Sequence, residues 1–242
     1  MAFANYVFDL YGTLVDIRTD ETGAAFWRRT AEFFAMHEAV YSPGELRGAY
    51  LRLCCEEQCK SPDPLYEIEL KKVFSALFRE KGVRPTAGLV ASAAETFRLL
   101  STKKLKLYPW VKDTLARIRA RGSRIFLLSN AQACFTRPEL IALGLENEFD
   151  GVVLSSEAGA KKPSPQIMRK LLETYEIDPN DCILTGNDQR ADIALALAFG
   201  MEALYIETET SSEYDPALAA PRELRGGGAA RLLELLELEE GE

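Results

Sequence analysis

The sequence predicts an α/β protein: a parallel sheet with helices on both faces, interrupted near its start by an all-helical insert. Three observations carry this. A short β-rich run, Tyr6-Val7-Phe8, opens the chain and ends at Asp9 with a turn at Gly12. After Lys106, β-rich runs alternate with helical segments, which is how parallel strands joined by crossover helices appear in a sequence. Between these regions, residues 17–102 carry helical periodicity and no visible strand pattern.

Within that stretch, residues 21–38 place Ala25, Phe26, Phe33 and Phe34 near helical spacing. Ser42-Pro43-Gly44-Glu45 is a capping box with proline at the first helical position. It opens a helix through Tyr50, Leu51 and Leu53 to Cys59. Ser61-Pro62-Asp63-Pro64 breaks the chain. A third helix is expected from about Leu65 to Lys81, with Ile68, Val73, Phe74, Leu77 and Phe78 as its apolar face and Gly82 as its stop. A fourth runs from Thr86 to Ser101.

The alternating half follows. Helices are expected from Pro109 to Arg121, over Glu139 to Leu143, from Ser164 to Tyr175 and from Asp192 to Phe199. Strands are expected over 123–128, 151–154, 181–185 and 203–206, joined by right-handed crossovers. The tail from Glu207 is acidic and loop-rich, with Gly226-Gly227-Gly228 before a last helix from Ala229 to Leu238.

Composition excludes several function classes. With 242 residues and 47% apolar content, the chain suits one large domain or a core plus a smaller insert. A net charge of −8 argues against a nucleic-acid partner. No apolar run is long enough to span a bilayer, and Met1-Ala2-Phe3-Ala4-Asn5 lacks the pattern of a signal peptide, so a cytoplasmic protein is expected. The single histidine, His37, lies in a helical stretch far from the strand ends, so histidine-based acid–base catalysis and multi-histidine metal sites are excluded. Five cysteines, an odd count, read as free thiols. Cys54, Cys55 and Cys59 share one helix, where small buried thiols are a simpler reading than a soft-metal site.

The chemistry gathers at strand ends. Asp9-Leu10-Tyr11-Gly12-Thr13 follows the first run, and Ser129-Asn130 follows Ile125-Phe126-Leu127-Leu128. Lys161-Lys162-Pro163 occupies a loop before a helix. Asn187-Asp188 follows Ile183-Leu184-Thr185-Gly186, with Asp192 four residues on. Asp9 alone reads equally well as a turn cap, and Asp188 and Asp192 also suit a helix N-terminus. Together the strand ends supply a carboxylate, a hydroxyl, an ammonium and a carboxylate pair.

That set, in that order, resembles the haloacid dehalogenase superfamily across nearly the whole chain. The resemblance implies a Rossmann-like core from residues 1–16 and 103–242 and a helical cap from 17–102. It further implies an aspartate nucleophile, Mg²⁺ and a small anionic substrate, most often a phosphate ester. Asp9 would attack and form an aspartyl intermediate. Mg²⁺ would lie between Asp9, Asp188 and the backbone carbonyl of Tyr11, with Asp192 behind them or positioning the lysine. Lys162, rather than Lys161, would balance these charges and contact the transferred group. Thr13 would orient Asp9, and Ser129 and Asn130 would bind the substrate.

Tyr11 departs from the commonest pattern. Many family phosphatases carry an acid–base aspartate there, whereas a phenol with a reference pKa of ~10 is a poor base at neutral pH. Tyr11 and Ser129-Asn130 resemble instead the L-2-haloacid dehalogenase branch, in which Arg28 would take the halide-binding arginine's place. That branch also carries a tyrosine where Met168 stands and lacks the acid at Asp188. Three readings stay open: a phosphatase, a dehalogenase, and a non-catalytic metal- or ligand-binding relative. Oligomeric state is not legible.

Overall fold

The computed structural model describes residues 3–226 and 228–238. Met1 and Ala2 of the N-terminal segment, and Gly227 of the glycine run, lie outside them. Strand β1 (Asn5–Phe8) is followed by β2 (Val15–Thr19) and then by helices α1 (Ala24–Met36), α2 (Pro43–Gln58), α3 (Leu70–Glu80) and α4 (Ala87–Ser101). Next come β3 (Thr102–Leu107), α5 (Val111–Ala120), β4 (Arg124–Ser129), α6 (Ala133–Ala142), β5 (Gly151–Leu154), α7 (Ser155–Ala158) and α8 (Pro165–Tyr175). The chain closes with β6 (Cys182–Gly186), a π-helical turn (Gln189–Ile193), α9 (Ala194–Ala198), β7 (Glu202–Ile206), β8 (Arg222–Leu224) and α10 (Ala229–Leu235).

Six strands form one parallel sheet in the order β5-β4-β1-β6-β7-β8. Successive strands run outward from β1 in both directions, which leaves a crevice at the carboxyl end of β1. Alternate residues of β1 face opposite layers. Tyr6 and Phe8 join Val111, Leu115 and Ile118 of α5 and Leu232 of α10. Val7 joins Ile167 and Leu171 of α8 and Leu195 of α9. The fold is therefore a Rossmann-like α/β sandwich, as the alternating pattern predicts.

The insert has its own aromatic core. Phe26 and Trp27 of α1, Phe74 and Phe78 of α3 and Phe97 of α4 pack with Tyr50 of α2. Phe26 meets Phe97 edge-on with centroids 4.9 Å apart, and Phe34 stacks on Phe78 at 4.6 Å. Phe135 of α6 joins this cluster and seats the insert on the sheet domain. Ser42 and Glu45 form the expected capping box at α2. His37 ends α1 with its ring 4.8 Å from Phe33, remote from the crevice.

Five elements differ from expectation. The stretch expected to be helical throughout begins and ends on a ribbon, with β2 antiparallel to β3 from Val15–Leu107 to Thr19–Thr102. Its charged residues disguise it: Asp16 is the salt-bridge partner of Lys104 and lies 3.7 Å from Lys106. Helix α3 starts at Leu70 rather than Leu65 because residues 65–68 run beside the sheet domain. There the amide of Lys161 donates to the Leu65 carbonyl at 2.7 Å, and that of Glu67 to Gly159 at 3.2 Å. The loop-rich tail contributes β8 as a sixth strand. The expected last helix ends at Leu235, before a turn.

Candidate active site

Asp9 is the first residue beyond β1, and its amide donates to the Thr185 carbonyl of β6 at 2.9 Å. Its carboxylate is reached from three directions. Oδ1 accepts from Ser129 Oγ at the end of β4 (3.0 Å) and from Lys162 Nζ (2.7 Å). Oδ2 accepts from Thr13 Oγ1 at 3.3 Å. The turn that returns Thr13 to Asp9 runs through Gly12, whose φ is +85°. A Cβ there would fall 2.4 Å from Asn187 Nδ2 and 2.3 Å from Thr210 Oγ1, so only glycine fits.

Lys162 is 4% exposed. Its ammonium donates to Asp9, to Asp192 Oδ1 (2.6 Å) and to the Leu128 carbonyl (2.9 Å), which uses all three donors. Burial alone would lower its pKa, but Asp192 and Asp9 outweigh burial and push it up to about 12. Burial likewise lifts Asp192 to about 7, against the pull of Lys162. The two shifts favour different charge states. One ammonium touching two carboxylates at 2.6 and 2.7 Å fits a charged lysine, and that is the state we adopt. Lys161 instead lends its backbone to the 65–68 segment. Asn130 grips Lys162 by its main chain, accepting from its amide at 2.6 Å and donating to its carbonyl at 3.2 Å.

The two acids after β6 divide their tasks. Both oxygens of Asp192 are taken, one by Lys162 and the other by the Asp188 amide at 3.0 Å. Its carboxylate lies on Gly186, where a Cβ would be 2.2 Å from Oδ2. Asp192 thus positions the lysine. Asp188 caps the π-helical turn through Oδ1, accepting from the amides of Arg190 and Ala191. It lines a cavity of about 190 Å³ together with Asp9, Tyr11, Ser129, Asn130 and Lys162.

This donor set suits a hard cation. Among the described residues, no three His, Cys, Asp or Glu side chains converge to hold a metal by themselves. Asp9 and Asp188, with the Tyr11 carbonyl, offer oxygen only, which fits an ion such as Mg²⁺ that keeps several waters. The cysteine cluster builds no such site: Cys55 and Cys59 touch at 4.0 Å on the surface, while Cys54 turns toward Tyr50.

Arg28 is a correction. Its side chain is 66% exposed and faces Glu32 at 3.9 Å. Phe26 and Trp27 take the buried face of α1, and one further residue rotates Arg28 out to solvent. The arginine at the crevice is Arg98 of α4, which sequence reasoning missed. It pairs with Glu139 at 2.6 Å and covers the Tyr11 and Phe135 rings at 5.4 and 5.2 Å. Tyr11 donates its hydroxyl to Glu139 and meets Thr136 Oγ1 at 2.9 Å. Burial first, and Glu139 second, push the phenol's pKa upward, so Tyr11 stays protonated. Glu139 and Asn187 were also missed. No local pattern marks Glu139, which acts through tertiary contacts; Asn187 stands in the strand-end motif beside Asp188, but its contact with Thr13 is tertiary.

A buried carboxylate at the sheet's central strand end, bonded by lysine, serine and threonine, defines a hydrolase site on a Rossmann-like sheet. The chain belongs to the haloacid dehalogenase-like hydrolases, whose family model matches residues 4–200. It is 29% identical over 146 residues to a phosphoserine phosphatase of Thermus thermophilus, covering 58% of this chain and 59% of that protein. It is also 29% identical over 211 residues to a glyceraldehyde 3-phosphate phosphatase of Methanothermobacter thermautotrophicus, covering 86% of this chain and 88% of the relative. Among solved structures, a 2-haloacid dehalogenase from Pseudomonas syringae shares the fold with a TM-score of 0.66 at 21% identity, covering 97% and 98% of the two chains. A HAD phosphatase from Thermococcus onnurineus gives 0.60 at 20%, with 97% and 98% covered. A Bacillus subtilis HAD hydrolase solved bound to magnesium gives 0.56 at 16%, with 98% and 100% covered.

Proposed function

We propose that this hydrolase is a Mg²⁺-dependent phosphatase of small phosphorylated metabolites, with Asp9 as nucleophile. The carrying observation is the convergence of Lys162, Ser129 and Thr13 on the Asp9 carboxylate. Lys162 holds Oδ1 and leaves the carboxylate oriented toward the cavity. Attack on phosphorus would form an aspartyl-phosphate and break the ester P–O bond, the leaving alkoxide taking a proton from solvent; water would then attack phosphorus, lose a proton to solvent, release phosphate and restore Asp9. Ser129 Oγ and the Lys162 ammonium, which donate to Asp9 here, would turn those donors to the phosphoryl oxygens when the substrate binds. Asp9, Asp188 and the Tyr11 carbonyl would bind Mg²⁺, which screens the negative charge shared by carboxylate and phosphate. Residues 1–16 and 103–242 form the core in this reading. Residues 17–102 form a cap that closes over the crevice and excludes water.

A second reading, L-2-haloacid dehalogenase, is favoured by Tyr11. Its proton is committed to Glu139, and a halide leaves without one. Hydrolysis of p-nitrophenyl phosphate with and without Mg²⁺, beside chloride release from L-2-chloropropionate, separates the two. Mg²⁺-dependent phosphate release that vanishes in Asp9→Asn supports the phosphatase. Metal-independent chloride release supports the dehalogenase. Failure of both reactions leaves the binding-protein reading. Among the described residues no helix is long and apolar enough to cross a membrane.

A further inference from the structure

A second cavity, of about 330 Å³, adjoins the one that holds Asp9. The two share Tyr11 and Asn130 as lining residues, so the second cavity lies beside the first and within reach of a group attached to a substrate at Asp9. Its charged lining groups are Arg98 and Glu67. Arg98 is matched twice by Glu139, at 2.6 and 3.4 Å. Among the described residues Glu67 has no salt-bridge partner. Its oxygens accept from two neutral groups, Gln132 Nε2 at 3.1 Å and Ser155 Oγ at 2.7 Å. Two donors leave a carboxylate half of its acceptor capacity. The second cavity therefore carries one uncompensated negative charge at a fixed place.

That place is rigid. The amide of Glu67 donates to Gly159, Lys161 donates to Leu65, and Tyr66 bridges Ala160, so the segment bearing Glu67 is pinned to the loop that ends in Lys162. Gln132 also donates to the Ile68 carbonyl at 2.8 Å and accepts from the Leu70 amide at 2.9 Å. The carboxylate is held by residues that follow β4 and β5.

We propose that Glu67 binds an ammonium group and that the substrate is the monophosphate ester of a short amino alcohol. This rests on the phosphatase reading of Asp9. The sheet sets the length. Ser155, which bonds Glu67, follows β5, two strands from β1 in the sheet order. Strands lie about 4.8 Å apart, which places Ser155 roughly 10 Å across the sheet end from Asp9. A phosphorus poised for attack lies about 3–3.5 Å from its nucleophile. An ammonium lies about 2.8 Å from its carboxylate. That leaves on the order of 4 Å, changed by the 2.7 Å contact between Ser155 and Glu67, for the ester oxygen and a short carbon chain between phosphorus and nitrogen.

The test compares O-phosphoethanolamine with 2-hydroxyethyl phosphate, which differs only at the amine. Wild type should favour the amine in kcat/KM by roughly ten- to a hundredfold, the range for a charged hydrogen bond. In Glu67→Gln that ratio should fall to about one. Calorimetric binding of 3-aminopropylphosphonate and 3-hydroxypropylphosphonate, in which a methylene replaces the ester oxygen, reads the same preference without turnover. If no phosphate ester is cleaved while the phosphonate preference holds and depends on Glu67, the phosphatase reading fails and the ammonium site stands. Should Glu67→Gln not fold, Glu67→Asp retracts the carboxylate by one carbon and should shift the preference toward 3-aminopropyl phosphate. The proposal is overturned by wild type that binds amine and hydroxyl phosphonates equally. It is equally overturned by a preference that survives Glu67→Gln, or by one whose chain length is unmoved in Glu67→Asp.

Discussion

Replacing Lys162 by methionine removes one ammonium and keeps most of the side chain's volume. The ammonium separates Asp9 Oδ1 from Asp192 Oδ1, at 2.7 and 2.6 Å, in a site where the Asp192 side chain is 1% exposed. Without it two buried carboxylates face each other. Removing one partner of a buried pair costs about 3–5 kcal/mol. At roughly 2–4 °C per kcal/mol for a chain of this size, the melting temperature should fall by about 6–20 °C near pH 8. The loss should depend on pH. Asp192 has a folded pKa raised to about 7, so its ionised form already disfavours the fold as pH rises through that value. Removing the lysine raises that pKa further. The cost of Lys162→Met therefore opens as pH rises above about 7, is full only above the variant's higher Asp192 pKa, and is smallest where Asp192 is protonated in both proteins. Urea unfolding at pH 8 and pH 5.5 measures this. Adding Asp192→Asn should recover a large part of the loss at pH 8 and little at pH 5.5. A cost below about 1 kcal/mol, or one that is the same at both pH values, would refute the buried-charge argument.

Three further outcomes are expected. Gly12→Ala forces a side chain into a left-handed turn and against Asn187 and Thr210, so it should cost about 1–3 kcal/mol by thermal melting and reduce turnover, because Asp9 and Thr13 flank the turn. Arg28→Ala removes an exposed side chain and should leave stability within about 0.5 kcal/mol and turnover unchanged; lost activity would restore it to the site. Tyr11→Asp supplies the missing acid, so hydrolysis of an alkyl phosphate should rise by roughly 10²-fold, with a smaller gain for p-nitrophenyl phosphate, whose leaving group needs little help. Equal changes for both esters would place the effect elsewhere.

The sheet and most of its carboxyl end were legible because local pattern encodes them. Apolar runs ending at Asp9, Ser129 and Asp188 are at once strand cores and strand ends, so one short window supplies both the element and its chemistry. Lys162 was readable from the proline beside it. What escaped depended on distant partners. Val15-Asp16-Ile17-Arg18-Thr19 alternates as a strand does, but its mate lies beyond four helices, at Thr102–Leu107. Residues 65–69 have helix-forming character that pairing with 159–161 overrides. Arg28 was misplaced because composition names a residue without fixing its rotation about a helix. Arg98, Glu139 and Glu67 were missed because only the packing of the insert against α6 and α7 brings them to the crevice.

The β2–β3 ribbon bears on how such a molecule diversifies. The chain leaves the sheet domain along β2 and returns along β3, so entry and exit of all four helices are zipped side by side. Everything between Thr19 and Thr102 hangs from one stem. A recombination event at that stem exchanges the whole helical module without breaking a single bond of the six-stranded sheet. Asp9, Ser129, Lys162 and Asp192 stay where they are, while Glu67 and Arg98 travel with the module. If the proposed roles hold, reactivity and selectivity would be inherited as separate cassettes. A chimera joined at this stem is the natural way to give the same carboxylate a different clientele.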